Sequence, residues 1–252
     1  MTNVLDYDLS DAHIHLGHCS ITGYKIDDKK LSNFISSNYL NSGLVFPMDL
    51  ELDYWNIELA KLLRNHKKFW GLHRVEFTDK FSTEETINAI DSYKKIIGVK
   101  FHPSFDRDTV MNKVWDKLFN YLNNNQKIVL IHCGRYLKMA NYKYALKRAS
   151  MNPDLTFILA HMGGNDLNMS KNAIRDAVNL PNVYFDTANV RTPLIIKEAV
   201  SNLGSERILF GSDYPWGSCY SNAYTILDSE ISENAKIGIL GRNLEKVIEM
   251  VI

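Results

Sequence analysis

The chain is poor in residues that cross-link or stiffen a fold. Its three cysteines, Cys19, Cys133 and Cys219, are scattered over 252 residues and form no C-x-x-C pair. An odd, dispersed set gives no disulfide framework and points to buried free thiols in a reducing cytoplasm. The six prolines are spread out and no low-complexity linker divides the sequence, so residues 1–252 read as one domain. Charge of either sign is not in excess: 29 basic residues face 29 acidic ones. That balance leaves no electrostatic case for nucleic acid or another polyanion as a partner. The sequence does not open on a basic segment and an apolar run, so no signal peptide is expected. No stretch is long and apolar enough for a membrane span. The phosphate-loop, dinucleotide and nucleophile-elbow motifs (G-x-x-x-x-G-K-[ST], G-x-G-x-x-G and G-x-S-x-G) are missing as well. A small molecule is the partner these absences leave.

What is present is a regular alternation. Hydrophobic residues make up 45% of the chain and charged ones 23%, enough apolar material for a sizeable core. Strand-like runs fall at 9–14, 43–47, 69–77, 96–101, 127–131, 156–160, 183–186 and 207–210. Helix-like segments follow them at 28–38, 53–65, 83–93, 112–124, 139–150, 171–179, 193–203 and 219–227, with a closing pair at 233–240 and 242–250. Ser82 or Thr83 and Thr192, the last before Pro193, are the N-cap candidates. Eight strand–helix units in this length predict a parallel α/β fold, a single (β/α)8 TIM barrel with a C-terminal helical extension.

Ionisable residues end several of the strand runs. They are His13 and His15 in S-D-A-H-I-H-L, His132 in I-V-L-I-H-C-G, His161 in F-I-L-A-H-M-G-G, and Asp213 in I-L-F-G-S-D-Y-P-W. Strand side chains alternate with period two. His13 and His15 therefore share one face, with Ala12 and Ile14 on the other. Gly98, Lys100 and His102 share a face opposite Ile97, Val99 and Phe101. H-x-H brings two imidazoles to one side, close enough to chelate a divalent cation. Alone, such a pair is more often a core or surface feature; two further strand-end histidines in consecutive units reverse that balance. Asp213, otherwise readable as a turn cap, then serves as a ligand or as a proton acceptor. Lys100 is a candidate for binding a substrate carboxylate, or for an internal ion pair with Glu76 or Asp186. His102, Arg74, Arg135 and Trp216 fall at strand ends or in the loops beyond and complete the candidate substrate-binding set.

Six segments run through the chain in order: D-A-H-I-H at 11–15, G-V-K-F-H-P at 98–103, V-L-I-H-C-G at 129–134, L-A-H-M-G-G at 159–164, F-G-S-D-Y-P-W at 210–216 and I-L-G-R-N at 239–243. In these the sequence resembles the amidohydrolase superfamily, most closely its amidohydrolase-related (amidohydrolase 2) branch. TatD-like nucleases are the nearest rival, but their acidic mid-chain ligand has no counterpart in G-V-K-F-H-P. The resemblance implies a TIM barrel with metal at its C-terminal mouth, held by His13, His15, His132 and Asp213, with His161 as the catalytic histidine. One divalent metal is implied; a second would require a carbamylated Lys100. Zn²⁺ suits three imidazoles and a carboxylate, and Mn²⁺ or Fe²⁺ tolerate the same set. The expected reaction is hydrolysis: a metal-bound water, deprotonated by Asp213 or His161, attacks the carbonyl carbon of a small amide, ester or lactone. The alternatives are metal-dependent non-oxidative decarboxylation of an unsaturated or aromatic acid, and a metal-free barrel kept as a binding protein. Short loops leave the pocket open or closed by a neighbouring subunit, which makes a homo-oligomer a further expectation.

Overall fold

Nine strands are formed in a computed structural model that describes residues 3–78, 81–134 and 138–252. They are β1 (Leu9–His18), β2 (Lys25–Ile26), β3 (Leu40–Pro47), β4 (Phe69–Arg74), β5 (Ile96–Phe101), β6 (Ile128–Ile131), β7 (Thr156–Leu159), β8 (Val183–Asp186) and β9 (Ile208–Leu209). One sheet holds them in the order β2-β1-β3-β4-β5-β6-β7-β8-β9. All neighbours are parallel except the short β2, which pairs antiparallel with β1. The eight expected strands appear in sequence order; β2 is an addition that no apolar run announced. Beyond β9 the backbone returns to β1, where Ala12 N donates to Phe210 O at 2.8 Å and His15 N to Tyr214 O at 3.0 Å. Helices follow the strands in turn, so the connections have the length and order of βαβ units.

The strands are apolar on both faces because both faces are covered. One buried layer contains Val45, Val99, Phe101, Val129, Phe157 and Phe185 with the surrounding helices. The other contains Leu44, Phe46, Leu72, Ile128, Leu130, Ile158 and Leu209, joined by Leu244, Val247 and Ile248 of the last helix, Asn243–Glu249. That helix follows Glu233–Ile237 through a wide turn at Gly238–Arg242. The I-L-G-R-N segment ties this turn to the sheet, because Asn243 Nδ2 donates to the carbonyls of Ser205 and Ile208, both at 2.8 Å. Ser82 caps Thr83–Ser92 through Glu85 N at 3.2 Å, whereas Thr192 makes no side-chain cap and Pro193 alone opens Pro193–Leu203. Among the described residues no helix is long and apolar enough to cross a membrane.

The register shifts at three places, Leu9/Ser10 and Asp11/Ile14 in β1 and Gly71/Leu72 in β4, and the last two bear on the site. In β1 the register runs from Asp11 opposite Gly43 to Ile14 opposite Val45, three residues against two. Ala12 consequently joins the layer of Leu44 and Phe46 while Ile14 lies in the other, so the two do not share a face. The same happens between β4 and β5, where Gly71 and Leu72 face Ile96 and Gly98. Ile97 belongs to the inner layer and Val99 and Phe101 to the outer one. A bulge of this kind re-aims the side chains beyond it, and here those are His13, His15 and Lys100.

Candidate metal centre

The polar groups come from within β1 and from at or beyond the carboxyl ends of later strands. His13 and His15 come from β1, Lys100 from β5, His132 from just after β6, His161 from the tight turn after β7, and Asp213 from the segment after β9. All six are buried. His161, Met162, Asn189 and Asp213 have φ between 53° and 58°, left-handed values that non-glycine residues adopt at a cost. Four such residues in one place mark a site whose geometry the surrounding fold enforces.

The donor atoms converge. His13 Nε2 lies 3.2 Å from His15 Nε2 and 3.2 Å from Asp213 Oδ1, and His15 Nε2 lies 3.1 Å from the same oxygen. One donor atom from each of His13, His161 and Asp213 falls within 4.8 Å of the others. His132 stands one step out, with Nδ1 3.0 Å from His161 Nε2 and its own Nε2 buried without a hydrogen bond. Its ring stacks on His102 at 3.9 Å between centroids.

A divalent ion fits this donor set. His13 gives its Nδ1 proton to Asp186 Oδ2 at 2.8 Å, so its Nε2 carries a lone pair. In the neutral ring that lone pair, His15 Nε2 and Asp213 Oδ1 form a cluster of acceptors that a proton or a metal cation can bridge. Acceptors at this spacing repel unless a cation joins them, and imidazole with carboxylate is a ligand set for Zn²⁺ and its neighbours.

Electrostatics follows from burial and pairing. Burial opposes ionisation of Asp213, but His13 and His15 outweigh it and hold the carboxyl well below the usual range. Burial and Lys100 oppose charge on His13, yet Asp186 and Asp213 prevail and raise its pKa. Burial pushes His15 down to about 3 and lowers His132, His102 and His161 as well. Lys100 is brought down to about 7 by burial. Its Nζ has no hydrogen-bond partner and sits 4.5 Å from the centroid of the Phe46 ring. The ion pair with Glu76 or Asp186 is therefore not made, because Asp186 is engaged by His13.

A cavity of about 170 Å³ opens above these groups, with Lys100, His102, Arg74, Phe105, Asn189 and Trp216 in its wall. Trp216 meets His15 edge-on at 4.7 Å. Arg74 reaches the wall, but its guanidinium grips Asp106 through two bonds, 2.6 and 3.1 Å, and also donates to Val75 O. Arg135 lies outside the described residues. Cys19, Cys133 and Cys219 are buried free thiols, and burial raises the pKa of Cys133 and Cys219. Two residues were not among the sequence candidates for the site: Asp186, and Asn189, whose Nδ2 donates to Asp213 Oδ2. Asp186 ends the apolar run V-Y-F and so carried the same signal as the strand-end histidines.

A family model described as Amidohydrolase matches residues 79–247. The chain belongs to the amidohydrolase family. No curated protein matches this amidohydrolase. Among solved structures it is similar to 2,6-dihydroxybenzoate decarboxylase from Rhizobium, with TM-score 0.77, 13% identity, and 97% of this chain and 99% of that chain covered. It is also similar to 5-carboxyvanillate decarboxylase from Sphingomonas paucimobilis, with TM-score 0.71, 13% identity, and coverage of 96% and 99%. An amidohydrolase from Burkholderia multivorans with bound zinc gives TM-score 0.74 and 13% identity over 96% and 99% of the two chains. At such identities the likeness speaks for the fold, and the chemistry has to be argued from the site.

Proposed function

We propose that this amidohydrolase catalyses metal-dependent, non-oxidative decarboxylation of a small aromatic or unsaturated carboxylic acid on a closed (β/α)8 barrel. The observation that carries the reading is Lys100. A fully buried amine with no hydrogen-bond partner among the described residues is costly, and a substrate carboxylate would be a partner for it. Phe105 and Trp216 in the cavity wall suit a planar, unsaturated body. The decarboxylases among the structural neighbours add weight.

Zn²⁺, held by His13, His15, Asp213 and His161 or His132, would supply Lewis acidity toward the oxygens of the bound acid. The remaining work falls to side chains. The carbon–carbon bond to the carboxylate breaks, CO₂ leaves, and the electron pair stays on the vacated carbon, which takes a proton. Asp213 is held ionised and has no proton to give. Lys100, with a pKa near neutrality, carries a transferable one beside the leaving group. His161 faces the same cluster and orients the acid.

Hydrolysis of an amide, ester or lactone is the second reading, favoured by that same ionised Asp213, whose Oδ1 stands where a base would receive a proton from water. Product analysis separates the two. Zinc-loaded protein is offered a panel of ring-substituted benzoic and α,β-unsaturated acids in D₂O, and in parallel esters, lactones and amides in H₂¹⁸O. CO₂ release with one deuterium at the vacated carbon is the expected result. Incorporation of ¹⁸O without CO₂ would overturn decarboxylation in favour of hydrolysis.

A further inference from the structure

We infer that Asp186 is a positioning residue that sets the tautomers of two histidines at once, so that both present Nε2 to the metal centre. Asp186 ends β8 and is wholly buried. Its Oδ2 accepts the Nδ1 proton of His13 at 2.8 Å. Its Oδ1 accepts two backbone amides, His161 N at 2.8 Å and Ala188 N at 3.1 Å. The second of these holds Ala188 at its amide, and the carbonyl of the same residue, one peptide unit further on, lies 2.9 Å from His161 Nδ1. A carbonyl only accepts, so His161 carries its proton on Nδ1. One carboxylate therefore leaves both Nε2 atoms bare, the first by a direct bond and the second through the turn it holds. The bland alternative is that Asp186 merely caps the loop at Ala188. That role accounts for Oδ1 but leaves the bond from Oδ2 to His13 without purpose.

The inference rests on the metal centre, whichever reaction that centre serves. It predicts a selective response to the isosteric amide. In Asp186→Asn the carbonyl oxygen can still accept from His161 N and Ala188 N, while the new NH₂ faces His13. A donor there forces His13 to accept at Nδ1 and carry its proton on Nε2, which removes the ligand lone pair. Disturbing the carboxylate behind a metal-bound imidazole lowers metal affinity about 10–100-fold.

The test is a long-range ¹H–¹⁵N spectrum of full-length, metal-free protein labelled at histidine nitrogen, at pH 8, with His13 and His161 assigned through His13→Gln and His161→Gln. The unmodified protein should show both rings protonated at Nδ1. Asp186→Asn should move the His13 proton to Nε2, leave His161 as it was, and weaken Zn²⁺ binding about 10–100-fold in a chelator competition. Asp186→Glu, which keeps an acceptor, should keep the His13 proton on Nδ1. A proton on His13 Nε2 in the unmodified protein overturns the proposal, and this arm does not depend on an Asp186 variant folding. So does an Asp186→Asn protein with an unmoved His13 proton and unchanged zinc affinity. Correct tautomers in a protein that binds no zinc would support Asp186 as the positioning group and overturn the metal centre instead.

Discussion

Arg74 lines the cavity, yet its charge is held by the fold. Its guanidinium and the Asp106 carboxylate are both almost fully buried, 1% and 3% exposed. The pair holds the short helix Pro103–Asp106, which carries Phe105 into the cavity wall and starts at His102. Removing one partner of such a pair strands the other charge and costs about 3–5 kcal/mol. Arg74→Met should therefore lower the free energy of unfolding in a denaturant titration by about that much, and Arg74→Met/Asp106→Leu should recover most of it. An unchanged unfolding midpoint together with a weakened substrate KM would show instead that Arg74 serves the substrate. At this scale the sequence was legible in kind and less so in detail. His13, His15, His161 and Asp213 lie around one point, while His132, which the resemblance offers as a ligand, stands one step out beside His161. Which acid stands behind which base was not legible: the sequence offers Asp186 as a partner for Lys100, and the folded chain gives it to His13.

Among the elements, β5 shows what limits a reading by periodicity. An alternating pattern over 96–101 puts Ile97 with Val99 and Phe101, but Ile97 is the extra residue of β5, between Ile96 and Gly98 opposite the consecutive Gly71 and Leu72 of β4, and it joins the inner layer. Nothing in the composition of the run marks the bulge, since Ile96 and Ile97 are equally apolar. Gly98 is the local sign of it. A Cβ there would collide with the carbonyl of Ile128 in β6, so the two backbones approach at a distance only glycine permits. Strand existence and order were legible from eight apolar runs between turn signals; the two-residue β2 was not, because a pair of residues has no period. Gly98→Ala should cost roughly 3 kcal/mol, the upper end for an inserted methyl group, because the obstacle is backbone and cannot rotate away. Gly23→Ala is the comparison: φ is 64° but no atom lies near, so only the left-handed backbone cost of about 1 kcal/mol should appear. Equal losses at the two positions, read from denaturant midpoints, would mean that β5 and β6 are not held this closely.

Lys100 is a buried amine without a hydrogen-bond partner among the described residues, and the stability of the whole molecule should depend on pH accordingly. Lys100 titrates at about 7 in the folded protein against 10.5 for an ordinary lysine, because burial disfavours the ammonium. Between those values the unfolded chain holds a proton that the metal-free native state has lost. Stability then rises with pH, by about 1.4 kcal/mol per unit for this one group. The cost is fully present below pH 7, where both states are protonated and the native state buries the charge. It disappears as pH approaches 10.5. Lys100→Met keeps the volume and removes the titration, so it should be the more stable protein at pH 7, and that advantage should shrink by about 1.4 kcal/mol per unit as pH rises to 9. Urea unfolding of both proteins at pH 7, 8 and 9, without metal, measures the difference, and titrating groups remote from Lys100 cancel in the comparison. A gap that stays constant across this range would mean that Lys100 keeps its charge at pH 9. It would then have found an anion inside the protein, and the case for a substrate carboxylate at that position would fall with it. A gap that closes identifies a destabilising group at the floor of the cavity, the kind of local cost that persists where binding or catalysis requires it.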